Sequence, residues 1–342
     1  MTTSSIQLTS PNELLAVVPY LLGFNPTNSI MVLCLRDRRL GLAQRLDLPR
    51  SENAHDVASA LLPSLITENP DAVILIGFED NKGESLPTLE ALTTALQSSA
   101  MPIHDRLVVR DGRWRSLDCH NPSCCPAEGS PVPEPADVSG VVAEFVGRGV
   151  APHCDRESLA RQVEAGHQAA EVGKVMRSRQ EAGEGRSVPR VELFAAWPRI
   201  LDPDGPDITP EDAALAASSL LDIELRDALV AWLCPGTLAL DELSKGVLSV
   251  LSALEKGRRM DDTHSAPTGL QNGVPHRLIG LCALLPDDVA APALTVLAGF
   301  TWWRGDGALT RVALARALRC DPDYRLAQLL LQMVDLAIRP GR

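Results

Sequence analysis

The sequence predicts an α+β or α/β chain, in which a small mixed β-sheet with packed helices precedes an all-helical domain. Two apolar runs, Ile30–Leu35 and Ala72–Phe78, are short enough for strands buried on both faces. From Arg156 onward such runs disappear and helical periodicity replaces them. The 342 residues are too many for one ordinary core and about right for two domains. We therefore expect an α/β domain at 1–118, a Cys-bearing loop and Pro-rich linker at 119–155, and a helical domain at 156–342.

The first elements are a helix and a β-hairpin. Ser10-Pro11-Asn12-Glu13 is a capping box with Pro at the first helical position, so a helix begins there. Pro19 is expected to end or kink this helix, and Gly23 is a candidate stop. After the Ile30–Leu35 strand, Leu40–Asp47 alternates, and Leu40, Leu42 and Leu46 are predicted to point the same way.

The rest of the first domain continues with alternating helices and strands. Asp111-Gly112 is a type I′ turn signal that joins the last two strands. The order α-β-β-α-β-α-β-β predicts a mixed sheet, with parallel neighbours where a helix connects two strands. The predicted elements are a helix at about 55–68, strand Ala72–Phe78, a helix starting at Ser85-Leu86-Pro87, strand Ile103–Arg110 and strand Arg113–Leu117.

The last part of the chain has helical periodicity throughout. Gly305, Ala317 and Pro322 stand where a tetratricopeptide-like hairpin has its turn, its close helix crossing and the start of its next helix. An ordinary helical hairpin is the alternative, because this repeat usually occurs in at least three copies. The predicted helices are about 156–181, 190–200, 209–233, 238–256, 276–285, 289–304, 307–319 and 322–338.

Composition excludes several classes of protein. The formal net charge of −12 and the aromatic content of 4% disfavour a general nucleic-acid binder, which needs phosphate neutralisation or base stacking. No run of about 18 uncharged apolar residues is present to span a membrane. The N-terminus lacks a basic region and carries Glu13 early, so we expect no secretory signal and a cytoplasmic location. In that compartment the 8 cysteines are expected to be thiols or metal ligands.

The strongest chemical candidate is a cluster of thiols and one imidazole within seven residues. Cys119, His120, Cys124 and Cys125 are ligand types that zinc prefers. No matching Cys pair follows elsewhere, and two adjacent cysteines need a tight turn to face one ion, which Pro122 or Pro126 could impose. Inert or half-buried thiols are the alternative.

A second candidate site lies at the carboxyl edge of the sheet, where open α/β sheets bind ligands. Arg45, Asp47 and Glu79 follow or end predicted strands there. A third candidate is the loop before the first strand, which carries Asn25 and Asn28. The alternatives are a solvated ion pair and a turn that satisfies its own backbone. No phosphate-binding glycine loop, dinucleotide fingerprint or serine-hydrolase elbow occurs, so no complete catalytic motif is present.

Several segments, in order along nearly the whole chain, resemble a family. They are Leu8–Glu13 (LTSPNE), Pro19–Phe24 (PYLLGF), Arg45–Pro49 (RLDLP), Cys124–Gly129 (CCPAEG) and Trp303–Pro322. These segments look like the actinobacterial domain-of-unknown-function family 4192. The resemblance implies a cytoplasmic bacterial protein and supplies no reaction. The match runs through the irregular loop that holds Cys124 and Cys125, which directs attention to those thiols.

Three functions follow as hypotheses. The first is a non-enzymatic ligand- or protein-binding or regulatory module, with a protein partner at the helical domain. The alternative is a zinc-dependent enzyme or zinc-stabilised protein, with Asp47 or Glu79 near the thiols as a base. The second alternative is association with nucleic acid through arginines at the two hairpins: Arg36, Arg38, Arg39, Arg110, Arg113 and Arg115.

Overall fold

The computed structural model describes residues 10–37, 39–147, 151–182, 188–237, 243–255 and 270–338. The chain divides into two compact units, Thr2–Arg156 and Glu157–Arg342. The first holds a six-stranded mixed sheet with helices, and the second is mostly helical, so the predicted fold class is confirmed. The boundaries of the three predicted segments stay a prediction.

The sheet has the strand order β2-β1-β3-β4-β5-β6. The strands are β1 (Ser29–Arg36), β2 (Arg39–Asp47), β3 (Ala72–Phe78), β4 (Ile103–Arg110), β5 (Arg113–Ser116) and β6 (Ser130–Pro131). The central strands β1 and β3 carry the two apolar runs and are buried almost throughout. The sequence did not predict β6, because a two-residue strand among prolines gives no pattern of its own.

Among these strands, β3 and β4 form the one parallel pair. β2 and β3 also run in the same direction, but β1 lies between them and is antiparallel to both. The prediction that a connecting helix joins parallel neighbours is therefore correct for β3 and β4 and wrong for β2 and β3.

The strand directions give the sheet two distinct edges. Asp47, Phe78 and Arg110 end their strands at one edge, which we call the Glu79 edge after the residue that follows β3. At the opposite edge β3 and β4 begin and β5 ends at Ser116. We call it the thiol edge, because the loop after Ser116 carries three cysteines.

In the part of the first unit that the structure describes, four α-helices accompany the sheet: α1 (Pro11–Leu22), α2 (Ala54–Glu68), α3 (Leu86–Ser98) and α4 (Ser139–Gly147). The predicted cap of α1 is confirmed, because the Ser10 hydroxyl accepts a hydrogen bond from the Glu13 N–H at 3.3 Å. The helix continues through Pro19 and ends at Gly23, whose φ of 75° is left-handed. The stop at Gly23 was thus predicted correctly, whereas Pro19 does not end the helix.

The alternation predicted for β2 is interrupted by a register shift between Leu33 and Leu35 of β1. Leu40 packs with Val17 and Phe145, whereas the Gln44 amide is hydrogen-bonded to Ser64 of α2. A bulge changes which side chains share a face, so Leu40, Leu42 and Leu46 do not form one uninterrupted row.

The second unit contains eleven named helices, α5 to α15, in its described residues. Three helices predicted as continuous are each broken in two. The predicted helix 209–233 is divided at Asp222, whose side chain caps a new helix by accepting from the N–H groups of Glu224 and Leu225. The predicted helix 190–200 is divided before Pro198. The helices are α5 (Arg156–Arg161), α6 (Ala169–Glu181), α7 (Arg190–Phe194), α8 (Trp197–Ile200), α9 (Pro210–Ser219), α10 (Ile223–Leu233), α11 (Lys245–Glu255), α12 (Leu270–Leu284), α13 (Asp287–Arg304), α14 (Gly307–Cys320) and α15 (Arg325–Asp335).

Helix α13 is the core of this unit and forms a hairpin with α14. Gly305 ends α13 with a φ of 91°, and the Asp306 carboxylate caps α14 by accepting from the Leu309 N–H at 3.0 Å. Ala317 is fully buried. The next helix begins at Arg325 rather than at Pro322 as predicted. The tetratricopeptide-like relationship stays a prediction.

Within the described residues no helix combines the length and apolar character needed to cross a bilayer.

The side chain of Arg316 in α14 is 1% exposed and joins several elements of the second unit. Its guanidinium donates to the carbonyl oxygens of Val163, Cys282 and Leu285 and to the Asp287 carboxylate at 2.8 Å. The last carbonyls of α12 and the first turn of α13 are therefore tied to the middle of α14. Losing this arginine would leave several buried acceptors without a donor.

We expect Arg316→Leu to lower the free energy of unfolding of the helical unit by about 3–5 kcal/mol, because three backbone carbonyl oxygens lose their donor and each unsatisfied buried acceptor costs about 1–3 kcal/mol. Arg319→Ala is the matched control, because Arg319 of the same helix makes an exposed ion pair with Glu164. It should cost less than about 1 kcal/mol. Urea unfolding followed by circular dichroism measures both. Equal losses for the two variants would contradict the structural importance of Arg316.

Candidate functional site

The segment 117–129, which we call the cysteine loop, begins and ends on neighbouring strands. β5 ends at Ser116, and β6 begins at Ser130 and pairs with Trp114 of β5. The Arg113 guanidinium donates to the carbonyl oxygens of Glu128 at 2.9 Å and Gly129 at 2.7 Å. A Cβ on Gly129 would lie 2.8 Å from the Trp114 carbonyl oxygen, so the close return of the loop needs glycine. The far end of the loop is thus held against β5.

The near end of the loop is held by the hydroxyl of Ser116. This oxygen accepts hydrogen bonds from the N–H groups of Asp118 at 3.1 Å and Cys119 at 3.0 Å. It donates to the Asp105 carboxylate at 2.6 Å. The Asp118 carboxylate in turn accepts from the Arg106 guanidinium. The backbone of Cys119 is therefore fixed relative to β4 and β5.

A tight turn then brings the other two cysteines back toward Cys119. The Asn121 carbonyl accepts from the N–H groups of Cys124 at 3.2 Å and Cys125 at 2.8 Å. The Asn121 side chain accepts from the Ser123 N–H at 3.0 Å, which is an Asx-turn. Adjacent cysteines can therefore face the same point in space.

The three sulfur atoms lie together at this turn. The Sγ atoms of Cys119 and Cys124 are 3.2 Å apart, and all three Sγ atoms lie within 4.8 Å of one another. Four ligands arranged tetrahedrally at a Zn–S distance of about 2.3 Å would place sulfurs about 3.8 Å apart. The 3.2 Å separation is below that value and the other separations do not exceed 4.8 Å, so the cluster can close on one ion with small side-chain movements.

His120, the fourth residue of the predicted set, lies apart from the sulfurs. It is exposed, and among the described side chains the close group of ligand atoms consists of the three cysteines. Cys154 is also elsewhere, because its neighbour His153 pairs with Phe24 at the Glu79 edge. The structure thus brings together three of the four predicted ligands.

The sulfurs have unequal affinities for protons. The Asn121 N–H, followed by the Cys124 and Cys125 thiols, lowers the pKa of Cys119 by stabilising its thiolate. Hydrogen bonding to Cys119 raises the pKa of Cys124. Burial, followed by the interaction with Cys119, raises the pKa of Cys125 to about 11. Cys119 is therefore the most acidic of the three thiols.

The second predicted site lies at the Glu79 edge. The Asn28 carbonyl accepts from the Leu48 N–H at 2.9 Å, and the Asn25 N–H donates to the His153 carbonyl at 3.0 Å, so both residues support the loop backbone. Arg45 stacks on the Phe24 ring, 5.5 Å from its centroid, and pairs with Asp47. The five predicted residues share one edge of the sheet.

Glu79 is buried there with its carboxylate surrounded by donors. Its oxygens accept from the Gly83 N–H at 3.0 Å, the Ser85 hydroxyl at 2.6 Å and the Arg110 guanidinium at 3.1 Å. Ser85 can approach because residue 77 is glycine, where a Cβ would lie 2.3 Å from the Ser85 hydroxyl oxygen. Burial raises the pKa of Glu79, but the hydrogen bonds and then Arg110 outweigh it and leave that pKa below its ordinary value.

The two candidate sites lie at opposite edges of the sheet. Glu79 follows Phe78, which pairs with Val109 near the end of β4, whereas Ser116 is bonded to Asp105 near its beginning. Arg110 is five residue steps along β4 from Asp105, or about 16 Å. Neither Glu79 nor Asp47 is therefore positioned as a base beside the thiols.

The hairpin arginines do not form one face either. Arg36 lies at the thiol edge and donates to carbonyls at the end of α2, while Arg110 and Arg113 lie at the Glu79 edge. Arg38 lies outside the described residues. The convergence that the nucleic-acid hypothesis requires is absent among the described arginines of the two hairpins.

Ser116, Asn121 and Asp105 position the cluster but were not predicted from the sequence. An Asn-Pro-Ser stretch is a recognisable turn signal, and it could have indicated Asn121. No local pattern links Asp105 to Ser116, which are joined across a hairpin. Asp105 also lines a cleft of about 330 Å³ with an apolar floor that includes Leu14, Ile74 and Leu107.

We expect Glu79→Gln to lower the free energy of unfolding at neutral pH by about 1.5–3 kcal/mol, because hydrogen bonds to a charged group are lost. A lowered folded-state pKa stabilises the fold above the ordinary value of 4.5, and this contribution is lost as pH falls through the folded-state pKa. The difference between the native protein and the variant should therefore shrink on acidification. Urea unfolding across that range, with Asp80→Asn as the exposed control, tests this. A difference independent of pH would refute it.

No curated protein and no solved structure matches the chain. One family model does match, and it covers residues 11–341. The chain therefore belongs to the family described as domain of unknown function DUF4192.

Proposed function

We propose that this chain is a non-enzymatic binding protein whose first unit holds a zinc ion on Cys119, Cys124 and Cys125. The observation that carries the proposal is the meeting of three sulfur atoms within 4.8 Å of one another on a loop held at both ends. Soft thiolate ligands select zinc over magnesium or calcium, which prefer oxygen. A cytoplasmic location, where thiols stay reduced, belongs to the proposal.

The fourth coordination position completes the site. His120 follows Cys119 directly and is exposed, so its side chain is a candidate for that position after a rotation. An incoming ligand is the alternative occupant, since zinc sites with three protein ligands keep one position open. Comparing the native protein with His120→Ala distinguishes them, because loss of a protein ligand weakens metal affinity.

A binding role is favoured over catalysis by what surrounds the sulfurs. The nearby Asp118 carboxylate is engaged by Arg106, and the Asp105 carboxylate accepts from the Ser116 hydroxyl. Both carboxylates thus hold the loop in place. Among the described residues no carboxylate joins the close group of ligand atoms, where a base for zinc-bound water would be expected.

A protein partner at the helical unit is a second part of the proposal. Helix α15 and the residues after it expose Leu329, Leu336 and Ile338, by 40%, 52% and 46%. Exposed apolar groups of this kind are common at protein interfaces. Recovery of a specific partner by the full chain, lost on Leu329→Asp and Leu336→Asp, would support this role, and unchanged recovery would count against it.

We expect the native chain to hold about one zinc ion after reconstitution under reducing conditions and desalting. Elemental analysis measures this zinc content. Cys119→Ser, Cys124→Ser and Cys125→Ser should each weaken zinc binding by at least about tenfold, since even indirect partners of a metal contribute that much. Cys154→Ser is the matched control, because Cys154 is an exposed thiol outside the cluster.

The control should keep the native zinc content. If the native chain retained no more zinc than the Cys119→Ser variant, the proposed metal site would be rejected. If Cys154→Ser lost zinc as the cluster variants do, the assignment to the cysteine loop would be wrong.

A further inference from the structure

We propose that the cysteine loop is also a peroxide-sensitive site, where oxidation joins Cys119 and Cys124 in a disulfide and releases the bound ion. The inference rests on the proposed zinc site and adds its regulation. It concerns a covalent modification of two particular residues among the chain's 8 cysteines.

The geometry selects this pair of thiols. The Sγ atoms of Cys119 and Cys124 are already 3.2 Å apart, and a disulfide needs about 2.05 Å. Cys124 is exposed and lies in a turn, so its side chain can cover the remaining distance and an oxidant can reach it. Cys34, Cys234 and Cys282 are buried and therefore shielded.

Cys125 is the partner that remains a thiol. It is less exposed than Cys124. A disulfide between the adjacent residues Cys124 and Cys125 is disfavoured. Their Cα atoms lie about 3.8 Å apart across a trans peptide, whereas the Cα atoms of a disulfide usually lie about 4.4–6.8 Å apart. The disulfide therefore forms between Cys119 and Cys124, which are separated by four residues.

The chemistry takes two balanced steps with hydrogen peroxide as the oxidant. The Cys119 thiolate attacks one peroxide oxygen, an S–O bond forms as the O–O bond breaks, and hydroxide leaves. The Cys124 thiolate then attacks the sulfenic sulfur of Cys119, the S–O bond breaks, and a second hydroxide leaves. Two thiolates are oxidised by two electrons in all, and one peroxide is reduced to two hydroxides, which take up two protons from the solvent to give two molecules of water.

The disulfide removes two of the three thiolate ligands. Neutral disulfide sulfurs bind zinc poorly, because the thiolate is the metal ligand. A single remaining cysteine cannot hold the ion, so it dissociates. The anchors at Ser116 and Arg113 contain no sulfur and stay in place, which lets a dithiol reductant restore the site.

The test uses the full zinc-loaded chain. Zinc content is measured first, peroxide is added, and released zinc is followed with a chelating dye. Free thiols are then alkylated, the protein is reduced, and the newly freed thiols receive a second alkylating label. Trypsin releases residues 116–148 as one peptide with all three cysteines, and fragmentation assigns each label.

The expected result is loss of zinc together with the second label on Cys119 and Cys124 and its absence from Cys125. Peroxide should produce no such disulfide in Cys124→Ser, whereas Cys154→Ser should behave as the native chain does. Zinc that stays bound under peroxide, or a disulfide between a different pair, would overturn the inference and leave the zinc site standing. A chain without zinc before peroxide is added would overturn the proposed function and this inference together.

Discussion

The closure of the cysteine loop between β5 and β6 is the constraint on which the candidate site depends. Arg113 and Gly129 hold one end and the Ser116 hydroxyl holds the other, so the three sulfurs meet without a covalent bond between them. A flexible loop would have to lose conformational entropy when it bound an ion. For the proposed zinc site, the sheet and its hairpin already hold the loop, so less conformational entropy remains to be lost on binding.

The two edges of the sheet use polar groups in opposite ways. At the Glu79 edge the buried Glu79 carboxylate accepts hydrogen bonds from Ser85, in the loop before α3, and from Arg110 of β4. Its oxygens are therefore engaged within the fold. At the thiol edge the sulfurs of Cys119 and Cys124 contact each other and backbone groups of Asn121, and Cys124 is exposed. Buried polar groups that are fully paired stabilise a fold, whereas accessible and poorly paired ones are free to react.

The sequence predicted local features well and non-local ones poorly. Strand β3 was predicted with the observed limits, because its continuous apolar run is a local signal, and the limits of β4 were also predicted correctly. The breaks at Asp222 and before Pro198 were missed, because helical periodicity continues across them. Three of the four predicted metal ligands lie together, whereas His120 stands outside the close group of ligand atoms, a difference that spacing along the chain does not encode. Strand order and the support from Ser116 depend on pairing across the sheet, which no single segment contains.

The backbone pairing between Phe24 and His153 affects how well the first unit tolerates a cut in the chain. His153 donates its N–H to the Gly23 carbonyl, and its carbonyl accepts from the Asn25 N–H, so the chain returns to the start of β1 after the proline-rich stretch. The ring of Phe145 also lies 5.5 Å from that of Tyr20. A single proteolytic nick between Pro131 and Pro135 would therefore leave two fragments that remain associated. A chain shortened at Asp118, by contrast, would lose β6, α4 and this pairing, and β5 would become an uncovered strand.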